Sequence, residues 1–307
     1  MRVVFLGTSG FAVPALRALA REHTIPLVVT QPDRPAGRHA VLTPSPVKVE
    51  ARALGLPVAD PERINREEAP ALLRKATPEA IVVASYGQLL KRPLFSLPPL
   101  GTINLHASLL PRYRGAAPIN WAIARGETET GVTTFLIDEG MDTGPALLKR
   151  SIPIGEEETA GELHDRLALL GADVVLETLD GLAKGTLAPV PQPAEGATLA
   201  PRLERDDGRL DWEKTARGLH NQVRGMNPWP GAFALFGEQR VKLHRTRLTA
   251  ARRGPVAPGE VALRETGRLL VGTGDELLEV LELQPEGRPR MTGRDFVNGL
   301  RDEARFR

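Results

Sequence analysis

Across the first 185 positions the apolar residues follow two alternating patterns. One is the short, almost uninterrupted apolar run: RVVFL at 2–6, IPLVVT at 25–30, AIVVAS at 80–85, GTINLH at 101–106 and GVTTFLI at 131–137. Such runs, rich in β-branched residues, predict strands buried on both faces. The other pattern is helical spacing. Ala12–Arg21 predicts one helix, and SPVKVEARAL at 45–54 predicts another, with Ser45 as N-cap and Pro46 at the first helical position. A third opens at Thr159 and sets Leu163, Leu167, Leu170 and Val174 on one face. Strands alternating with helices predict a mainly parallel α/β sheet with helices on both faces.

The stretch AKGTLAPVPQPAEGATLAPRL, at 183–203, breaks this pattern with proline, glycine and alanine. Its composition predicts an extended linker. Beyond it, one helix near Lys214–Met226 precedes short runs near 232–236, 239–248, 259–265, 268–273 and 277–284. A last helix opens at Thr292 in the capping sequence TGRD. Several short strands in so little chain predict a small β-barrel. The expected organisation is an α/β domain over 1–184, a linker over 185–203 and a barrel domain over 204–307.

Composition narrows the class. The 307 residues, 41% hydrophobic and 25% charged, suit two ordinary globular domains. No apolar run is long enough for a membrane span, and the first one is too short for a signal peptide. The chain has no cysteine, which excludes disulfides, thiolate nucleophiles and thiolate-held zinc. A cytoplasmic monomer without a membrane partner is expected. The net charge of +2 hides a local excess: Arg217, Arg224, Arg240, Lys242, Arg245, Arg247, Arg252 and Arg253 face a single acid, Glu238. That excess fits an anionic partner such as nucleic acid, or a solvated face in an arginine-rich protein.

Candidate chemistry concentrates at the ends of the fourth and fifth runs. The first strand ends in GTSG, but Gly7, Gly10 and Ala12 do not make the dinucleotide fingerprint, and the second run ends VVTQP with no acid for a ribose. Asn104 and His106 stand two apart on a strand, so their side chains share a face. On a buried strand they are either a bonded core pair or a site. The loop LIDEGMDTGP at 136–145 adds a carboxylate, Asp142, which can orient an imidazole. Asn, His and Asp without Ser or Cys make no nucleophilic triad. They suit a reaction whose substrate brings its own nucleophile, with the protein supplying oxyanion donors and proton transfer. One His and one Asp are too few for a metal site, so none is expected. Pro111 biases Leu110 toward extended geometry, and Leu109 and Leu110 are placed to wall a flat apolar ligand.

Together, NLHASLLPRYRGAAPINWAI at 104–123, GETETGVT at 126–133 and DEGMDTGP at 138–145 resemble the signature of the folate-dependent formyltransferase family. QPDRPAGR at 31–38 and PSPVK at 44–48 point to its tRNA-acting branch, and the resemblance covers the whole chain. It implies a Rossmann-like sheet followed by an OB-like barrel that cradles tRNA. It implies 10-formyltetrahydrofolate as formyl donor, and as acceptor the α-amino group of methionine on initiator tRNA. Carried over by position, it makes Asn104, His106 and Asp142 the catalytic trio. Gln88, Leu89, Ser108, Leu109, Leu110, Pro111 and Asp138 then line the folate site. Arg38 would face the acceptor end of the tRNA, and Arg217, Arg224, Arg240, Lys242, Arg245 and Arg247 would meet its backbone. The rival readings are a relative that formylates an amino-sugar nucleotide, and a non-catalytic tRNA-binding protein on the same scaffold.

Overall fold

The computed structural model describes residues 1–36, 40–66, 68–252, 254, 256–262, 267–300 and 305–307, and of residues 36, 68 and 250–252 the backbone alone. The chain forms two compact units. The first comprises Met1–Gly115, Thr130–Ile152 and His164–Leu199, and the second Ala116–Glu129, Pro153–Leu163 and Ala200–Arg307. No helix among the described residues is long and apolar enough to cross a membrane.

In the first unit the apolar runs become strands. They are β1 (Val3–Gly7), β2 (Val28–Val29), then a ribbon of β3 (Arg34–Ala36) and β4 (Val41–Thr43), β5 (Val58–Ala59), β6 (Ala80–Ala84), β7 (Thr102–His106) and the short β8 (Arg114–Gly115). Helices α1 (Val13–Glu22), α2 (Pro46–Ala53), α3 (Glu68–Lys75) and α4 (Arg92–Phe95) lie between them. Every residue of β1 and β6 is buried, as an apolar run covered on both faces requires. Ser45 caps α2 by accepting a hydrogen bond from Lys48 N–H at 3.0 Å. Two carboxylates anchor that helix at the foot of the ribbon, because Lys48 Nζ donates to Asp33 and to Asp60 at 2.6 Å each.

After α5 (Pro118–Ala124), which belongs to the second unit, come β9 (Glu129–Leu136), β10 (Ala146–Pro153) and α6 (Ala160–Ala183). Among the described residues seven strands make one sheet in the order β10-β9-β7-β6-β1-β2-β5. The inner pairs run parallel, whereas β9 runs antiparallel to β7. The parallel core and its helices follow from the alternating pattern. β10 does not, because it is an edge strand with an exposed outer half carrying Lys149 and Arg150. The second run gives only two residues of ladder, since Pro26 brings no N–H to it.

The second unit contains β11 (Leu199–Ala200, shared at the boundary), α7 (Ala216–Gly225), β12 (Ala232–Phe236), β13 (Gln239–Arg252), β14 (Val261–Ala262), β15 (Leu270–Gly272), β16 (Glu276–Pro285), β17 (Met291–Thr292) and α8 (Gly293–Asn298). The later strands form an antiparallel half-barrel in the order β12-β13-β16-β15-β14, with β17 against β16. Its core gathers Leu210, Trp212, Leu219, Val241, Leu278 and Phe306. Thr292 caps α8 through Asp295 N–H, as TGRD predicts.

Candidate active site

β6 and β7 are parallel neighbours, so the loops that follow them leave the same edge of the sheet. Asn104 and His106 end β7. The imidazole is buried, and its Nε2 lies 2.8 Å from Tyr113 O. A carbonyl oxygen only accepts, so Nε2 carries a proton and donates it there. Nδ1 is therefore the ring atom left for other work. It lies 3.6 Å from Asp142 Oδ2, beyond direct hydrogen-bond reach. That oxygen accepts from Gly115 N–H at 2.8 Å instead. Asn104 is half-buried, and among the described residues its amide has no hydrogen-bond partner. The amide thus stands beside an imidazole whose orientation Tyr113 O fixes.

The loops achieve this with unusual backbone. Tyr113 and Asp142 sit at φ of +61° and +55°, left-handed values that cost side-chain-bearing residues about 1–3 kcal/mol when nothing holds them. Gly115, at φ +121°, supplies a turn that other residues resist. The loop after β9 leaves at the level of Ile103, because Leu136 pairs with Ile103. It doubles back to bring Asp142 to His106, and it packs tightly: a Cβ on Gly144 would lie 1.8 Å from Leu136 O.

The remaining expected folate residues divide by what their side chains already do. Ser108 and Leu110, expected to line the folate site, are buried, and their polar groups are engaged within the protein. Ser108 Oγ donates to Arg112 O, and Thr133 Oγ1 donates to Ser108 O and accepts from Leu110 N–H. These two residues clamp the loop, and Lys149 Nζ adds a hydrogen bond to Leu110 O. Leu109 is half-buried, and the Leu110–Pro111 peptide is cis. Asp138 Oδ1 accepts from Gly140 N–H and Thr143 Oγ1, so it closes its own turn. Gln88 is held by Ile64 N–H and Glu62 O, while the Leu89 side chain stands 75% exposed.

In the second unit the expected tRNA residues part company. Arg224 is buried and donates to Asn221 Oδ1, Gly155 O and Glu158 O. It is a scaffold residue that offers little surface to a partner, because its guanidinium is turned inward onto these acceptors. Arg217 and Lys242 are exposed. Arg240 lies 3.6 Å above the Phe233 ring, Arg245 pairs with Glu162 at 2.7 Å and Arg247 with Glu279 at 2.9 Å. Arg38 lies outside the described residues.

The sequence reading missed Tyr113 O, Gly115 N–H and Thr133, and it missed Arg114, Gln192 and Thr198. Backbone groups carry no side-chain signature, and Gln192 and Thr198 fall in the stretch read as a linker. The signal available there was Pro189, Pro191 and Pro193 at every second position, a stiff extended segment with Val190 and Gln192 between them.

Comparison with known proteins gives the family. Residues 1–179 match the formyl transferase family, and residues 202–301 match the formyl transferase C-terminal domain. The chain is 52% identical over 303 residues to the methionyl-tRNA formyltransferase of Solibacter usitatus (strain Ellin6076), covering 98% of this chain and 96% of that protein. It is 51% identical over 304 residues to that of Koribacter versatilis (strain Ellin345), with the same coverages of 98% and 96%. Among solved structures, an N-formyltransferase from Helicobacter canadensis in complex with folinic acid and dTDP-3-aminofucose superposes with a TM-score of 0.68 at 19% identity, over 91% of this chain and 98% of that one. At that identity the likeness is one of fold. By its family matches over both units and its near-full-length relatives, this chain belongs to the formyl transferase family, among the methionyl-tRNA formyltransferases.

Proposed function

We propose that the protein transfers the formyl group of 10-formyltetrahydrofolate to the α-amino group of methionyl initiator tRNA. The observation that carries this reading is the Asn104 amide, without a partner among the described residues, beside an imidazole whose Nε2 is committed to Tyr113 O. The amine nitrogen attacks the formyl carbon, the C–N bond to folate N10 breaks, and the proton lost by the amine ends on N10. Between these events the carbonyl oxygen becomes an oxyanion. Asn104 donates an N–H to it, and Nδ1 of His106 is the ring atom that meets the reacting groups. Asp142 holds negative charge beside that nitrogen and supports proton movement from the amine.

On this reading the loops at 85–89 and 107–111 bound the folate through backbone and through Leu109, and Arg38 meets the acceptor end. Lys242, Arg217 and Arg240 contact tRNA phosphates in the second unit. The family relationship and the local basic excess support this assignment.

The test is direct. Incubating the protein with 10-formyltetrahydrofolate and charged initiator tRNA is expected to yield formylmethionyl-tRNA and tetrahydrofolate in equal amounts. Formylation of an amino-sugar nucleotide with no reaction on the tRNA would overturn the acceptor. Tight tRNA binding with no formyl transfer would overturn catalysis.

A further inference from the structure

Residues Val190 to Leu199 follow the last helix of the first unit and are stitched to both loops of the site. Val190 exchanges two backbone hydrogen bonds with Ala146, each 2.8 Å. Thr198 O accepts from Arg114 N–H at 2.9 Å, and its Oγ1 accepts from Tyr113 N–H at 2.8 Å. Between these anchors Gln192 spends its whole amide. Nε2 donates to Asp142 O at 3.0 Å and to Gly144 O at 2.7 Å. Oε1 accepts from Arg114 Nε at 3.3 Å and Nη2 at 2.8 Å.

A primary amide has two N–H donors and one oxygen acceptor, and here each has a partner of the required sign. The guanidinium of Arg114 only donates, so it fixes Oε1 on its own side and turns both N–H groups toward the two carbonyls. Those carbonyls bracket Thr143. One belongs to Asp142, whose left-handed φ of +55° needs a surrounding structure that determines it. The other belongs to Gly144, against which Leu136 O packs. The same turn delivers Asp142 Oδ2 to Gly115 N–H and sets it 3.6 Å from His106 Nδ1.

We propose that Gln192, oriented by Arg114, is a positioning residue for Asp142. It fixes the 142–144 turn and hence the distance between carboxylate and imidazole. This rests on Asp142 being catalytic, and it gives the 185–203 stretch a part in the reaction beyond joining two domains.

The informative variant is Gln192→Glu. A carboxylate still accepts from Arg114, so attachment of the segment is kept or strengthened, but it sets an oxygen against two carbonyl oxygens and frees the turn. Loss of an outer support of this kind costs about 10–100-fold in rate. The expected result is a fall in kcat of about that size with KM for folate and tRNA unchanged. In an Asp142→Asn background the same change should cost little more, because the residue it acts through has already been altered. Independently of any substrate, hydrogen exchange at the Gly115 amide should rise in Gln192→Glu, since its acceptor is no longer held.

A wild-type kcat in Gln192→Glu overturns the proposal, as does a full additional loss in the Asp142→Asn background. Unchanged exchange at Gly115 overturns it whatever the substrate. If exchange rises while the unaltered protein formylates no methionyl-tRNA, the positioning stands and the proposed function fails.

Discussion

His106 and Asp142 face each other across 3.6 Å, beyond direct hydrogen-bond reach, and the carboxylate oxygen nearest the imidazole accepts from Gly115 N–H. The charge of Asp142 therefore acts on His106 through space, while its geometry is set by backbone. Charge and shape can be separated by Asp142→Asn. Asparagine keeps an acceptor for Gly115 and, like aspartate, tolerates the left-handed backbone. It removes the charge. The expected outcome is a fall in kcat of about 10²–10⁴, the range for loss of proton-transfer assistance, with folate affinity unchanged. Single-turnover rates beside equilibrium folate binding measure the two separately. Lost affinity at a normal rate would place Asp142 in binding.

Asn104 and His106 should fail differently when truncated. Asn104→Ala removes an amide that has no partner among the described residues, so thermal stability should hold while the rate drops about 10²–10³ for one lost oxyanion donor. His106→Ala also removes the buried hydrogen bond that the imidazole donates to Tyr113 O. It should lose about 10²–10⁴ in rate and about 1–3 kcal/mol in stability. Equal stability losses in the two variants would show that Asn104 is held by the protein after all.

The basic residues of the second unit separate into scaffold and surface. Lys242→Ala should weaken tRNA binding and lower the salt slope by about 1, the signature of one phosphate contact. Arg224→Ala should leave that slope alone and instead reduce stability by about 1–3 kcal/mol, because the buried guanidinium and its hydrogen bonds to Asn221, Gly155 O and Glu158 O are lost. Urea unfolding and salt titration on the same two variants check both. A reduced salt slope in Arg224→Ala would mean that the side chain reaches the tRNA.

Glu279 sets a pH dependence in the half-barrel. Its buried carboxylate accepts from Arg268 and from Arg247, and the first of these contacts, supported by the second, holds it below its ordinary value of 4.5. A carboxyl depressed by folding stabilises the protein above its unfolded pKa, and that contribution fades as pH falls through the folded one. Glu279→Gln should therefore cost about 1–2 kcal/mol at neutral pH, a modest figure because both arginines are half-exposed. The gap to the unaltered protein should close in acid. Chemical denaturation from pH 7 to pH 3 follows it, and a gap independent of pH would remove the charge from the account.

How much of this was legible beforehand depended on what each residue has to bury. The uninterrupted runs at 2–6 and 80–85 can only be interior strands, and they are. The edge strand Ala146–Pro153 has no such constraint and left no pattern. Asn104, His106 and Asp142 stood out because polar groups at strand ends demand partners, and the structure brings His106 and Asp142 together. The burial of Arg224 was not legible, because positive charge reads alike on a surface and beside buried acceptors. Gln192 was unreadable for a related reason: in a proline-rich stretch a single amide looks like solvated spacer, and only the two carbonyls and the guanidinium around it disclose its task.

The stitching of Val190–Leu199 onto the site has a consequence for the order in which the molecule is made. Chains emerge from the ribosome N-terminus first, and domains tend to fold as they appear. Every strand of the seven-stranded sheet is complete by Pro153, and α6 by Ala183, so the sheet and its helices can close before the segment that steadies Asp142 exists outside the tunnel. A nascent chain at that stage has its imidazole and carboxylate but neither Gln192 nor Thr198. Competence therefore arrives late, on a folded scaffold, as the residues leading into the second unit emerge.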